Sequence, residues 1–140
     1  MAKSILYPLF ALAGWTFLIL VVMGYRRIGA GLAGRVKAAD FRFGESAAVP
    51  PEVCLPNRNY MNLLELPVLF YVVGLIIFMT GQQSAVQLGL AWAYVGLRVA
   101  HSLIHLGYNN VYHRLAAFAL SNFALLALWA LALRGVLAEG

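Results

Sequence analysis

Apolar residues along this chain gather into four long runs, Ile5 to Tyr25, Met61 to Thr80, Ala85 to Gly107 and Leu115 to Leu133. A helix needs about 20 mainly apolar residues to cross a hydrocarbon core of roughly 30 Å, so each run is long enough to span. Barrel strands, the other way to satisfy backbone groups in lipid, would show short alternating segments, and these runs are continuous. The pattern predicts an all-α integral membrane protein, a four-transmembrane-helix bundle with helices over 5–25, 59–80, 85–107 and 113–134 in a single domain covering 1–140. The first run exceeds the roughly 7–15 apolar residues of a secretory signal, and no small-residue cleavage site precedes Arg26 and Arg27. It is read as a retained helix.

Composition excludes the main alternative class. With 63% hydrophobic and 11% charged residues and a mean hydropathy of +0.81, the chain lies far from the usual balance of about 45–50% apolar and about 25% charged. A water-soluble domain could not hide that much apolar surface. The lone Cys54 cannot form an internal disulfide, and no paired cysteine spacing of the metal-binding kind exists.

Charge sets the expected orientation. Arg26, Arg27, Arg35, Lys37, Arg42 and Arg58 all fall in the connection over 26–58, whereas Gly81, Gln82, Gln83 and Ser84, between the second and third runs, carry no charge. By the positive-inside tendency the long first loop is cytoplasmic and both termini lie on the opposite side, with Lys3 and Arg134 as the only cations there. The net charge of +5 is then explained by topology and lipid headgroups. A basic loop without an interleaved aromatic platform gives no reason to expect nucleic acid as a partner. Glycines at 29, 31, 34 and 44 and prolines at 50, 51 and 56 make the loop a connector, expected to be too short and polar to build its own core. Gly89 with Ala93 and Gly96 with Ala100 have the small-x-x-x-small spacing that permits close helix contact, within or between subunits.

The candidate chemistry is carried by polar residues inside the spans. An ionisable group at that depth costs about 2.5–3.5 kcal/mol on insertion scales and is expected to face protein or a water-filled cavity. Arg58, Asn62 and Glu65 recur at i, i+4, i+7 on the second helix, and Tyr94, Arg98, His101 and His105 form one stripe on the third. Glu65 and Arg98 fall at similar depths, which predicts a buried ion pair between them. Its plain role would be to hold two helices in register. His101 and His105 at i, i+4 could present two imidazoles to a metal, but a metal site needs further ligands, so none is assigned. A haem would need axial ligands from opposite sides, and both imidazoles sit on one helix.

The segment Arg58-Asn59-Tyr60-Met61-Asn62-Leu63-Leu64-Glu65, preceded by Pro51-Glu52 and followed by Pro67 and Phe70, resembles the second-helix signature of the MAPEG family, the membrane-associated proteins of eicosanoid and glutathione metabolism. The third helix adds a second motif, Arg98-Val99-Ala100-His101-Ser102, with Leu106-Gly107 and Arg114 downstream. The likeness extends over essentially the whole chain and is to bacterial members, which implies the bacterial inner membrane. It further implies a homotrimer with glutathione as co-substrate, bound at subunit boundaries near the cytoplasmic face. Residues matching Arg58, Asn62, Glu65, Arg98, His101 and His105 would bind the tripeptide, and Arg26 or Arg27 would approach from a neighbouring subunit. Arg114 matches the arginine that stabilises the glutathione thiolate. Many catalytic members have a tyrosine where this chain has His105, and prostaglandin-isomerising members have a serine where it has Leu115. The expected function is a glutathione-dependent transferase or peroxidase acting on a hydrophobic small molecule that enters from the membrane lipid. The alternative is a non-catalytic member that binds a lipid or a partner membrane protein. A proton or solute carrier fits less well, because four short helices offer little alternating-access machinery.

Overall fold

The computed structural model describes residues 3–138 in full and the backbone of Glu139. Five helices follow one another: α1 (Leu6–Leu32), α2 (Pro51–Leu64), α3 (Pro67–Thr80), α4 (Ala85–Leu106) and α5 (Val111–Glu139). α2 and α3 together make one span, so the architecture is a bundle of four membrane rods without strands among the described residues. The stretches Lys3–Leu32, Pro51–Thr80 and Val111–Ala138 are long and apolar enough to cross a membrane by themselves. α4 is less apolar because it carries Gln87, Arg98, His101, Ser102 and His105, and all five are buried against its neighbours. A polar stripe of that kind is tolerated in a membrane when protein covers it.

The helices outrun the apolar runs on the side of the basic loop. α1 continues past Tyr25 to Leu32, and α2 starts at Pro51. Proline suits the first helical turn, where its missing N–H has no intrahelical acceptor in any case, and Glu52 complements the dipole there. The two extensions enclose a small apolar cluster of Ala30, Val36, Val49 and Val53, with Phe41 and Cys54 against it. The connector therefore has a core of its own, contrary to the sequence expectation. Its charged residues tie it to the helices: Arg27 meets Glu45 at 2.9 Å and lies over the Phe41 ring, and Arg35 meets Glu52 at 2.9 Å.

The second span is interrupted. Pro67 has no N–H to give to Leu63, so the hydrogen-bond ladder stops and α2 ends at Leu64, with Glu65 in a non-helical conformation. Beyond the break, Phe70, Val73 and Ile77 of α3 join Leu12 of α1, Tyr94 of α4 and Leu128 of α5 in the main core. Gly74 permits close approach of α1 to α3, since a Cβ there would lie 2.6 Å from Leu9 Cδ1. α3 stops at Gly81, whose φ of 71° is the left-handed cap that glycine adopts without cost. Ser84 and Gln87 then form a capping box that starts α4. At the far end of α4, Asn109 takes a φ of 49°, and Asn110 Oδ1 accepts the Tyr112 and His113 N–H groups to start α5. Phe10, Phe17, Val21, Met79, Phe123 and Leu126 point outward, an apolar belt that lipid covers.

Candidate functional site

The pocket lies at the basic-loop end of the bundle, where three helices contribute. α2 supplies Arg58 and Asn62, the break supplies Glu65, α4 supplies His105, and the loop into α5 leads to Asn109 and Arg114; together they line a cavity of about 540 Å³. A smaller hollow of about 260 Å³ shares Asn62 and Arg114 and extends to His101, Leu115 and Phe118. Polar residues thus give way to apolar ones toward the bilayer.

The expected Glu65–Arg98 ion pair is not formed. Arg98 is 1% exposed and Glu65 is exposed, and no salt bridge joins them. The cause is the proline break. Ending α2 at Leu64 strips its last carbonyls of intrahelical partners, and Arg98 Nη2 donates to one of them, the carbonyl of Asn62. A guanidinium at a helix C-terminus also meets the negative end of the macrodipole. Its other face lies over the Phe118 ring, 5.6 Å from the centroid. Glu65, carried onto the break, lines the cavity, and its carboxylate makes no hydrogen bond or ion pair among the described residues.

Two further contacts fix the walls. Asn59, fully buried, accepts through Oδ1 from Ser102 Oγ at 3.0 Å, a direct tie between α2 and α4. Arg114 Nη1 donates to Asn109 Oδ1 at 2.8 Å, which holds the guanidinium over the cavity. The sequence assigns no site role to Asn59 or Ser102, and Asn109 reads there as a solvated loop residue. The first two were legible as polar residues inside apolar runs, whereas the Asn109–Arg114 separation matches no helical neighbour spacing. His101 and His105 stack edge to face, 5.7 Å between centroids, along the inner face of α4. Asn59 Nδ2, Arg98 Nε and Nη1, and His105 Nδ1 make no hydrogen bond within the protein.

Arg58, Asn62, Glu65, His101, His105 and Arg114 are therefore brought together around connected cavities, with Arg98 buried behind them. Arg26 and Arg27 are not. Both lie on the α1 extension outside these cavities, and Arg27 is engaged by Glu45.

Four membrane rods enclosing a cationic pocket at one end define an integral membrane helix bundle with a site suited to a polar anion beside an apolar partner. The profile of the MAPEG family matches residues 5–134, and the chain belongs to that family. Membership places it among membrane proteins with glutathione-related or eicosanoid-related roles. No curated protein matches the sequence significantly.

Proposed function

We propose that the protein is a membrane-bound glutathione-dependent transferase or peroxidase acting on a hydrophobic electrophile. The observation that carries this reading is the convergence of Arg58, Asn62, Glu65, His105 and Arg114 on one cavity of about 540 Å³. Glutathione has two carboxylates, one ammonium and a thiol. Guanidinium groups suit the carboxylates, and Glu65, free of other partners among the described residues, suits the ammonium. Arg114 is placed by Asn109 where a sulfur could sit between the polar cavity and the apolar hollow at Leu115 and Phe118. A fixed cation there lowers a thiol pKa from about 8.5, and the thiolate is the nucleophile.

In conjugation the sulfur forms a bond to an electrophilic carbon of the apolar substrate as that carbon's leaving group departs with its electron pair, and the thiol proton passes to water. In peroxidase chemistry two glutathione molecules reduce a hydroperoxide to its alcohol and water and leave as the disulfide. Both reactions use the same activated sulfur. The assembly proposed is a homotrimer in the bacterial inner membrane with the basic loop cytoplasmic. Gly89, Ala93 and Gly96 support subunit contact, since they lie exposed on the outer face of α4 and a Cβ on either glycine would meet nothing within 4 Å. In such an assembly Arg26 or Arg27 of one subunit would reach the pocket of the next. The test is titration of the purified protein with glutathione, following heat release and the ultraviolet difference band of a thiolate. Binding without that band would favour the non-catalytic alternative, for which His105 in place of the usual tyrosine already argues. Absence of binding would end the glutathione reading.

A further inference from the structure

A second polar cavity sits at the opposite end of the bundle and shares no lining residue with the pocket described above. Gln82, Ser84 and Gln87, from the α3–α4 turn and the first turn of α4, meet Leu131, Arg134, Gly135 and Ala138 of α5 around about 410 Å³. At about 30 Å³ per water molecule this holds on the order of a dozen waters, enough for a phosphodiester and a small polar substituent.

The polar lining carries donors that the fold leaves unused. Gln87 is 3% exposed, and its Oε1 accepts the Ser84 N–H in the capping box, so the free part of its amide is the nitrogen, which makes no hydrogen bond. Gln82 Nε2 is also buried and makes none. The capping box takes the Gln87 N–H through Ser84 Oγ, and the Leu88 N–H goes to the Ser84 carbonyl, leaving the Ala85 and Val86 N–H groups open at the positive end of α4. Arg134 is the charged residue of the wall, and no carboxylate lines the cavity among the described residues. Gly135 completes the shape. A Cβ there would lie 1.9 Å from Gln82 Oε1, so the absent side chain is what lets Gln82 rest against α5.

We propose that this cavity binds a phosphate ester anion, and that its source is the headgroup of a membrane phospholipid in the leaflet opposite the basic loop. Arg134 pairs with the phosphodiester, and the Gln87 amide nitrogen donates to its oxygens beside the α4 N-terminus, with the Gln82 amide packed behind it. The bilayer is favoured over free phosphate by position. The cavity opens where two apolar spans end, and Leu131 and Ala138 flank Arg134 on the same face of α5, so a bound headgroup keeps its acyl chains in hydrocarbon. The site is independent of the glutathione pocket and stands or falls without it.

The experiment uses the full chain, purified and delipidated in dodecyl maltoside, titrated calorimetrically with dihexanoyl phosphatidylglycerol and separately with inorganic phosphate. Saturable lipid binding, weaker for inorganic phosphate, is expected. Arg134→Ala should weaken lipid binding about tenfold and Arg134→Lys much less, in line with loss of a charge-assisted contact. Gly135→Leu should abolish it by filling the cavity. Because Arg134 is exposed, its alanine variant should keep the wild-type elution profile and helical circular dichroism, which preserves the test if Gly135→Leu does not fold. Lipid binding unchanged in Arg134→Ala, or no saturable binding of either probe, overturns the site. Inorganic phosphate binding as tightly as the lipid overturns the lipid source.

Discussion

Arg98, deep in the bundle, donates to the backbone carbonyl of Asn62 and leaves Glu65 unpaired. This links a local chain property to the proposed chemistry. Pro67 ends α2, the end exposes a carbonyl, the carbonyl holds the buried cation, and the one carboxylate of the pocket stays available for a ligand. Had the two charges paired, the pocket would offer no free carboxylate for an ammonium group.

Stability should therefore respond very differently to the two residues. Arg98→Ala removes a charge-assisted hydrogen bond worth about 1.5–3 kcal/mol and leaves space beside Phe118, so a marked loss is expected. Glu65→Gln changes an exposed, unpaired group and should stay within about 0.5 kcal/mol of wild type while weakening glutathione binding. Unfolding in mixed detergent measures the first effect and calorimetry the second. Equal destabilisation by the two substitutions would restore the direct ion pair.

The Asn59–Ser102 contact should appear as coupling between α2 and α4. Hydrogen bonds between membrane helices average about 0.6 kcal/mol in double-mutant cycles and reach about 1.7. Asn59 is fully buried and its Nδ2 already lacks a partner, so removing Ser102 Oγ strands the whole amide. A cycle of Asn59→Ala and Ser102→Ala should give coupling toward the upper value. Strict additivity would mean that the two side chains do not interact in the membrane.

The four rods and the inward stripe of α4 were legible because apolar length and i, i+4 spacing are direct consequences of helix geometry in lipid. The place of Glu65 is not legible from spacing alone, because one continuous helix over 59–80 sets it beside Arg98, whereas Pro67 breaks the ladder and turns it away. The connector core was missed for a related reason. Val36, Val49 and Val53 are separate single positions in a polar stretch, and they meet only because α1 and α2 extend beyond the apolar runs. The outward glycines of α4 mark where close approach of another helix is open.

Assembly should be sensitive at those glycines. Gly96 has nothing within 4 Å of where its Cβ would be, so Gly96→Leu is expected to leave the single chain folded. If the small-residue face is a subunit contact, the bulk of leucine forces the helices apart and the oligomer dissociates. Native mass spectrometry should show trimers for wild type and smaller species for the variant. A wild-type monomer, or trimers in both, would exclude this face from assembly.

Chemistry and binding should separate between Arg114 and Arg58. An interaction made mainly with the reacting sulfur affects the barrier, whereas contacts with the remote carboxylates and amine hold ground and transition states alike. Arg114→Ala should raise the pKa of bound glutathione and lower kcat while leaving much of the tripeptide's affinity, and Arg58→Ala should raise KM with kcat little changed. Asn109 gives the sharper control. It touches Arg114 at 2.8 Å and has a left-handed backbone that glycine also adopts, so Asn109→Gly removes the Oδ1 contact without adding strain. As a positioning residue it should reproduce the Arg114→Ala shift in thiol pKa in weaker form, read from the pH profile of the thiolate band and of chloroarene conjugation. A pH profile that is unchanged in both Arg114→Ala and Asn109→Gly would remove Arg114 from the activation of sulfur and leave it a headgroup anchor.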